Sequence, residues 1–167
     1  SVGDPTEVAL FETAHDAGFV ASELLEQLPR VAELPFDAAR QCMTTLHRPD
    51  PTREAQIAYV KGSPEKILSI CHGHFHPEGS RPIEHDAILA VAEQMAADGL
   101  RVLAFARRRF AAAPPIESEH LETELDFLGL AGLLDPPRDE AATAIADCVS
   151  AGIVPVMITG DHPETAR

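Results

Sequence analysis

The sequence has no tryptophan, one tyrosine and seven phenylalanines, so aliphatic side chains must supply most of a hydrophobic core. Positive charge is also scarce, because 13 Lys and Arg residues face 27 Asp and Glu residues and the formal net charge is −14. Nucleic acids and anionic membrane surfaces attract clustered cations, so this balance argues against either of them as a partner. It is compatible with a small anionic ligand held at a local basic site.

Cysteines and long apolar runs are scarce as well. Cys42, Cys71 and Cys148 lie far apart and form no C-x-x-C pair, which argues against a disulfide framework or a zinc site and favours a reducing compartment. No apolar run approaches the ~18 residues of a membrane-spanning helix, and no signal-peptide pattern is present. The chain begins at Ser1 and ends in a helix-start pattern, "DHPETAR", so we expect a segment of a longer protein.

Helix patterns and then strand patterns occupy the first part of the chain. Asp4 and Glu7 form a capping-box pattern around Pro5, which predicts a helix that ends near Gly18. A second short helix is predicted over residues 21–27. The stretches "RVAELPF", "RQCMTTLH" and "AQIAYVK" predict strands, with "RPDPTRE" as the turn between the last two. Strands joined by short turns favour an antiparallel sheet.

A second set of patterns begins at Ser63, which with Pro64 predicts the start of a helix in "SPEKILSIC". The stretch "CHGHFHPEGSRP" predicts a loop or hairpin, and "IEHDAILAVAEQMAADGL" is the clearest helix, closed by Gly99. "RVLAFARRRF" and "LDFLGLAGLL" predict strands, with "AAAPPIESEHLETE" as a polar excursion between them. The apolar side chains expected on one face of the clearest helix are Ile88, Val91, Ala92 and Met95.

The character of the sequence changes at "DPPRDE". "DEAATAIADCVSAGI" predicts a helix, and "IVPVMITGD" predicts a short apolar strand of the kind that is usually parallel and covered on both faces. This βαβ-like tail differs from the antiparallel body that precedes it. We therefore predict a domain boundary near residues 134–138, with domains at 1–134 and 135–167.

Lysine occurs only as Lys61 and Lys66, and every other side-chain cation is an arginine or a histidine. Lys61 stands where a predicted strand ends, directly before Gly62. A glycine there permits a close approach, and the lysine can direct its ammonium group into a pocket. A solvated strand end is the alternative for Lys61. Phe36 is likewise either a core side chain at a strand edge or a flat ring available for stacking.

Five short motifs stand in an order and spacing that resemble the P-type ATPases, the membrane pumps that phosphorylate themselves on an aspartate. They are "GDPTE", "KGSPE", "GLRVLAFA", "LLDPPR" and "MITGDHPETA", and they extend over essentially the whole chain. The resemblance is strongest to the calcium-pump-like and sodium-potassium-pump-like branch. Five ordered motifs are far more specific than any one of them alone.

The resemblance implies an α+β fold in two parts. Residues 1–134 would form the nucleotide-binding domain, a twisted antiparallel sheet flanked by helices. Residues 135–167 would begin the returning segment of a phosphorylation domain, which is haloacid-dehalogenase-like and doubly wound α/β. The family's D-K-T-G-T phosphorylation motif does not occur in this sequence, so the resemblance implies ATP binding without a catalytic residue in this chain.

The resemblance also implies an adenosine pocket. Lys61, with Gly62 beside it, matches the family lysine that lines the adenine-ribose pocket, and Phe36 matches the phenylalanine that stacks on adenine. Glu7 matches a glutamate that faces the adenine amino group, and its alternative role is the capping box with Asp4.

On the phosphate side, Arg101 matches a family arginine near the phosphates, and Leu103 matches a leucine that packs on the base. Strand alternation places both on one face, although an edge arginine and a core leucine are the alternative. The calcium-pump pattern has two cations where this chain has Ala38 and Gln41, so the resemblance implies a weakened phosphate contact. Arg40 is the nearest cation, and alternation predicts that it lies on the opposite strand face from Gln41.

Four residues are implied to act only in the complete pump, where they frame the phosphoryl group and its Mg²⁺: Asp135, Thr159, Gly160 and Asp161. Asp161 follows a predicted strand, which is where open α/β sheets bind ligands. An N-cap paired with Glu164 is its alternative role.

Three alternating histidines, His72, His74 and His76, invite a metal interpretation. No carboxylate or second cysteine completes a standard ligand spacing, and in the resembling family this segment is a variable hairpin. We therefore predict no metal site here.

The resulting hypothesis is the ATP-binding cytoplasmic domain of a P-type cation pump, with Mg²⁺ acting in the complete enzyme. Its implied partners are ATP and the phosphorylation, actuator and transmembrane domains of the same pump, with no nucleic acid and no direct membrane contact. The apolar tail also allows self-association.

A free-standing nucleotide-binding regulatory domain and a small haloacid-dehalogenase-like phosphatase are the alternatives, and the absence of a D-x-D motif argues against the second. Abundant Arg and Ala hint at a bacterial source.

Overall fold

Six strands and six helices make up the computed structural model, which describes residues 4–134 and 139–156. The strands are β1 (Arg30–Asp37), β2 (Cys42–His47), β3 (Gln56–Gly62), β4 (Cys71–His74), β5 (Arg101–Phe110) and β6 (Leu125–Leu133). The helices are α1 (Pro5–Asp16), α2 (Ala21–Gln27), α3 (Pro64–Ser69), α4 (His85–Ala97), α5 (Ser118–Leu121) and α6 (Asp139–Ser150). The predicted elements of residues 4–134 therefore form close to their expected positions. None of these helices within the described ranges is long and apolar enough to span a membrane.

One sheet contains all six strands, in the order β1-β2-β3-β5-β6-β4. Every neighbouring pair is antiparallel except β4 and β6, which are parallel. The prediction of a purely antiparallel sheet is therefore wrong at this edge. The predicted hairpin does form beyond β4, where His74 and Arg81 exchange backbone hydrogen bonds of 2.8 and 2.9 Å. The fold is α+β, as predicted, with helices flanking a mainly antiparallel sheet.

The core lies on one face of the sheet. Buried side chains of β2, β3, β5 and β6 pack there against Ile67 and Leu68 of α3. A second cluster joins Leu46 and Ala58 to Leu121 of α5. The stretch predicted as a polar excursion therefore contains a short helix that supplies a buried leucine, because α5 closes the core beneath the β1–β2 end of the sheet.

Helix α4 turns the predicted face to the core at Ile88 and Ala92, but not at Val91. Ala92 is buried, and Ile88 and Leu89 pack against the core cluster. Val91 was predicted on the same face, but it is 55% exposed. The helix presents the side that contains Leu89 to the sheet, so Val91 points to solvent.

The predicted helix caps form at α1 and α3. Asp4 accepts a hydrogen bond of 2.8 Å from the Thr6 N–H, and Ser63 accepts one of 3.3 Å from the Lys66 N–H. The bond from Thr6 holds the pKa of Asp4 below its usual value. The cap is therefore complete at neutral pH and is lost as the pH falls through that lowered pKa. After α1, Gly18 has a φ of +90°, which a glycine adopts without strain.

Two of the cysteines are core side chains. Burial is the main cause that raises the pKa of Cys42 to about 11 and that of Cys71 to about 12. Both thiols are therefore protonated at neutral pH and pack as small apolar groups.

The segment after residue 138 contributes no strand to the sheet within its described part, residues 139–156. Helix α6 forms as predicted, but residues 153–156 are not in a strand, and Val154 and Val156 are 82% and 78% exposed. The strand predicted in "IVPVMITGD" does not form over these four residues, because no strand among the described residues pairs with them. The rest of that motif lies outside the described residues.

Candidate functional site

The face of the sheet opposite the core carries the predicted nucleotide-binding residues. In β2 the side chains of Cys42, Thr44 and Leu46 are buried, whereas those between them are partly exposed on the other face. Met43 of β2, Lys61 of β3 and Phe105 of β5 lie directly opposite one another across the three strands. We call the face that carries this row the open face. Helix α1 lies beside it.

A cavity of about 210 Å³ lies on the open face. Between α1 and the row of Lys61 and Phe105 there is a wider depression of about 630 Å³. Together they have the size and mixed lining that small-molecule sites commonly have. The side chains that line the smaller cavity include Glu7, Arg30, Met43, Thr45, Tyr59, Lys61, Phe105 and Leu128.

Lys61 and Glu7 meet at the rim that both cavities share. The Lys61 ammonium donates a hydrogen bond to Glu7 Oε1, and the Lys61 side chain is only 21% exposed. Lys61 is thus not a freely solvated strand end. The predicted capping box is wrong in its second half, because the Glu7 carboxylate turns towards Lys61 while Asp4 alone caps Thr6.

A glycine is required at position 62 because Gln41 and Cys42 lie too close to leave room for a side chain. A Cβ atom at this position would lie 2.3 Å from the Gln41 carbonyl oxygen and 2.8 Å from Cys42 Cβ. The Ser63 N–H donates a 3.2 Å hydrogen bond to the same Gln41 oxygen. The close approach that the glycine permits is therefore made by the β1–β2 turn, which fixes the end of β3 from which Lys61 projects.

Phe36 is directed by an irregularity in β1. The register between β1 and β2 shifts between Leu34, which is opposite Thr44, and Asp37, which is opposite Cys42. Because Asp37 is paired with the core-facing Cys42, alternation directs its neighbour Phe36 to the open face. Its side chain is 65% exposed, which excludes the alternative of a core phenylalanine. Phe36 does not line the two cavities described above.

Arg101 and Leu103 lie on the open face, as strand alternation predicts, because both precede Phe105 at steps of two along β5. Arg101 is exposed, and its Nη1 lies 3.4 Å from the Thr6 hydroxyl oxygen at the start of α1. Leu103 is half-buried and therefore is not the fully buried core leucine that the alternative requires. These two residues extend the open face from Lys61 towards the start of α1.

The pattern "RQCMTTLH" predicts that Arg40 and Gln41 belong to a strand. In the structure both residues lie in the turn between β1 and β2. The strand begins one residue later because Gln41 has a φ of +55°, which closes the turn. Gln41 and Ala38 are exposed. The Arg40 guanidinium binds the buried Glu122 carboxylate on the core side, so it lies away from the open face.

Several open-face residues were missed in the sequence. Tyr59 is two residues from Lys61, and Phe105 is two residues from Leu103. Residues two apart share one face of a strand, so the strand period alone could have found them. Arg30, which lines the smaller cavity and forms a 2.5 Å ion pair with Glu33, carries no such signal, because a register shift follows it in β1.

The remaining predicted residues do not enlarge this site. His72 Nε2 lies 3.8 Å from Asp126 Oδ1, and His76 Nδ1 lies 3.8 Å from Glu78 Oε2, so these two histidines face different carboxylates. Within residues 4–134 and 139–156, no three potential metal ligands gather at one point. The four residues assigned to the phosphoryl group lie outside the described residues: Asp135, Thr159, Gly160 and Asp161.

Comparisons with known proteins cover nearly the whole chain. A family model described as "P-type ATPase, cytoplasmic domain N" matches residues 1–140. The chain is 44% identical to "Cation-transporting ATPase pma1" of Synechocystis sp., with 99% of this chain and 18% of that protein covered. It is 42% identical to "Probable cation-transporting ATPase F" of Mycobacterium tuberculosis, with 99% and 18% covered. It is 40% identical to "Calcium-transporting ATPase 1" of Bacillus cereus, with 98% and 18% covered. The chain thus spans less than a fifth of the length of these relatives.

Proposed function

Because the chain belongs to the P-type ATPase family and matches its cytoplasmic domain N, we propose that its open face binds ATP. The observation that carries the proposal is the meeting of Lys61 and Glu7 at the rim of the open-face cavity. The pair offers an ammonium donor and a carboxylate acceptor side by side. An adenine amino group needs an acceptor of this kind, and the base and ribose also present acceptors for the ammonium group.

Other open-face residues receive roles from their positions. Phe36 is exposed and supplies a flat ring for stacking on the base, while Leu103 of β5 packs against the same base. Gly62 has an indirect role, because its missing side chain lets the β1–β2 turn, which contains Gln41, pack against the end of β3. Arg101 is the exposed cation at the end of the open face nearest α1, so it is the residue best placed to receive phosphates.

Charge limits how tightly the phosphates are held. Arg40 is bound to Glu122, Arg30 to Glu33 and Lys61 to Glu7, so each of these cations is already neutralised by a carboxylate. The chain also carries a formal net charge of −14. We therefore propose that the adenosine part supplies most of the affinity, with a Kd on the order of 0.1–1 mM.

For the longer protein we propose a cation pump in which ATP phosphorylates an aspartate outside this chain. Residues 135–167 would begin its haloacid-dehalogenase-like phosphorylation domain, and Asp135 and the Thr159-Gly160-Asp161 motif would lie near the transferred phosphoryl group. Mg²⁺ would neutralise charge there. The described residues gather no carboxylate cluster that fits it, so we assign its binding to other parts of the pump.

The domain's setting follows from the same proposal. Its partners would be the phosphorylation, actuator and transmembrane domains of one chain, and it would lie at the cytoplasmic face of a membrane. We propose a bacterial plasma membrane, because the relatives include proteins of Synechocystis and Bacillus. The matched names support this proposal over a free-standing regulatory domain or a phosphatase, since they belong to cation-transporting ATPases.

Calorimetric titration of the 167-residue chain with ATP tests the proposed function. We expect one saturable site with a Kd on the order of 0.1–1 mM, little changed by Mg²⁺, and no release of phosphate. The absence of a saturable response at several millimolar ATP, on the order of ten times that Kd, would contradict the assignment. Release of phosphate would contradict the claim that the chain binds ATP without hydrolysing it.

Gln41→Lys is expected to strengthen ATP binding by about threefold to tenfold, since it adds a cation to the exposed turn on the proposed phosphate side. Lysine tolerates the positive φ of this position about as well as glutamine does, so the fold should be retained. Comparative calorimetry with ATP and adenosine measures the effect. An equal gain for adenosine, or no gain for ATP, would place Gln41 away from the phosphates.

The apolar tail is proposed to promote self-association. Ile153, Val154 and Val156 are exposed beyond α6, and uncovered aliphatic residues of this kind favour contact with another copy. Deletion of residues 139–167 should leave ATP affinity unchanged and reduce any dimer found by analytical ultracentrifugation. Loss of ATP binding or of the folded state in the truncated chain would show that the tail belongs to the nucleotide-binding unit.

A further inference from the structure

The turn between β1 and β2 is tied to the core by Arg40 and Glu122, and we propose that this ion pair positions Phe36 for stacking on the base. The inference goes deeper into the proposed function and depends on it, since Phe36 needs a bound base to stack on. Arg40 and Glu122 are then positioning residues that act through Phe36 and do not touch the nucleotide.

Glu122 is the buried anchor of this arrangement. Its side chain is 4% exposed, and its Oε1 accepts hydrogen bonds from the Arg40 guanidinium and, at 2.7 Å, from the Thr44 hydroxyl. A carboxylate removed from water to this degree needs such partners, because an unpaired buried charge is strongly destabilising. The buried end of the pair is therefore held in one place beneath β2.

The second arm of Arg40 reaches the irregular part of β1. Arg40 Nη2 donates a 2.5 Å hydrogen bond to the Pro35 carbonyl oxygen, which belongs to the peptide bond that leads into Phe36. This bond lies within the register shift between Leu34 and Asp37. The backbone conformation at that shift determines which face of the sheet Phe36 occupies. Arg40 therefore holds, by its hydrogen bond to Pro35, the part of the backbone that orients the Phe36 ring.

The turn itself presents Arg40 in the required direction. Asp37 Oδ1 accepts hydrogen bonds of 2.9 Å from the backbone N–H groups of Ala39 and Arg40. The guanidinium group is planar and forked, so one side chain can bind Glu122 and Pro35 at once. A lysine has a single ammonium group and is expected to keep the buried carboxylate and release Pro35. Arg40→Lys therefore removes the contact that positions the Phe36 ring while it keeps a positive charge beside Glu122.

Arg108 offers a matched control on the neighbouring segment. Its guanidinium also contacts a carboxylate and the backbone, namely Glu124 at 2.9 Å and the carbonyl oxygens of Thr123 at 2.8 Å and His120 at 3.5 Å. None of these hydrogen bonds goes to β1. Arg108→Lys thus makes the same chemical change to the same kind of two-armed contact without touching the backbone before Phe36.

The experiment measures ATP affinity by calorimetry for the unaltered chain, Arg40→Lys, Phe36→Ala, the double variant and Arg108→Lys, with thermal melting of each. We expect Arg40→Lys to weaken ATP binding by about threefold to tenfold, the size of one lost hydrogen bond, and Arg108→Lys to leave it unchanged. In the Phe36→Ala background, Arg40→Lys should have no further effect, because its influence passes through the ring.

Two results would overturn the inference while ATP still binds to the unaltered chain. One is an unchanged affinity in Arg40→Lys, and the other is a full additional loss in the Phe36→Ala background. If Arg40→Lys fails to fold, Glu122→Gln replaces it, and unfolding of both variants would assign the pair to the core and not to Phe36. Failure of the unaltered chain to bind ATP would instead contradict the proposed function itself.

Discussion

Gly62→Ala is expected to lower the free energy of unfolding by about 3 kcal/mol, the upper end of the usual range for an overpacked core position. The added Cβ would lie 2.3 Å from the Gln41 carbonyl oxygen and 2.8 Å from Cys42 Cβ. Neither neighbour can retreat easily, because Gly62 is paired on both sides, with Cys42 in β2 and Ala104 in β5. Chemical denaturation followed by circular dichroism measures the loss.

Gly18→Ala is the matched control for this substitution. Gly18 has a φ of +90°, and a Cβ there would meet no atom of the described residues within 4 Å, so the substitution adds backbone strain without a clash. We expect a cost of about 1 kcal/mol at this position. If Gly62→Ala costs no more than Gly18→Ala, the β1–β2 turn does not pack against β3 in the way described.

Lys61→Ala is expected to weaken ATP binding by about tenfold to a hundredfold, the loss of a partly buried charged hydrogen bond. The variant should remain folded, because the Glu7 side chain left behind is 53% exposed and can be solvated. Lys66→Ala is the control, since Lys66 is the only other lysine and lies in α3, on the core side of the sheet. Calorimetry with ATP compares the two variants.

A similar loss of ATP affinity in both lysine variants would contradict a local role for Lys61 and would indicate a general effect of lost positive charge. An unfolded Lys61→Ala chain would contradict the description of Lys61 as a cavity residue. Circular dichroism of each variant separates these two outcomes before any titration is interpreted.

Local signals in the sequence were sufficient for most elements of residues 4–134. The cap at Asp4, the prolines at the starts of α1 and α3, and the alternation in β2 and β3 each depend on neighbouring residues only. The edge strand β4 could not be predicted in this way, because its parallel pairing with β6 joins segments separated by α4 and β5. Helix α5 was missed because its one buried leucine stands in a polar stretch.

The candidate site divides along the same line. Alternation could group Arg101 with Leu103, whereas Lys61 and Glu7 are 54 residues apart and were connected only through the family resemblance. The bond between Arg40 and Glu122 joins residues 82 apart, and no sequence period indicates it. The direction of Phe36 was equally inaccessible, because a register shift decides it and not the strand period.

The central claim is that the nucleotide lies on the open face, and mapping of backbone amide chemical shifts during an ATP titration tests it most directly. The account predicts saturable shifts that cluster at Glu7, Phe36, Met43, Lys61 and Leu103, with the amides of α4 and α5 unchanged. Saturable shifts centred on the core side of the sheet or on the β4–β6 edge, with the open-face amides unmoved, would contradict it.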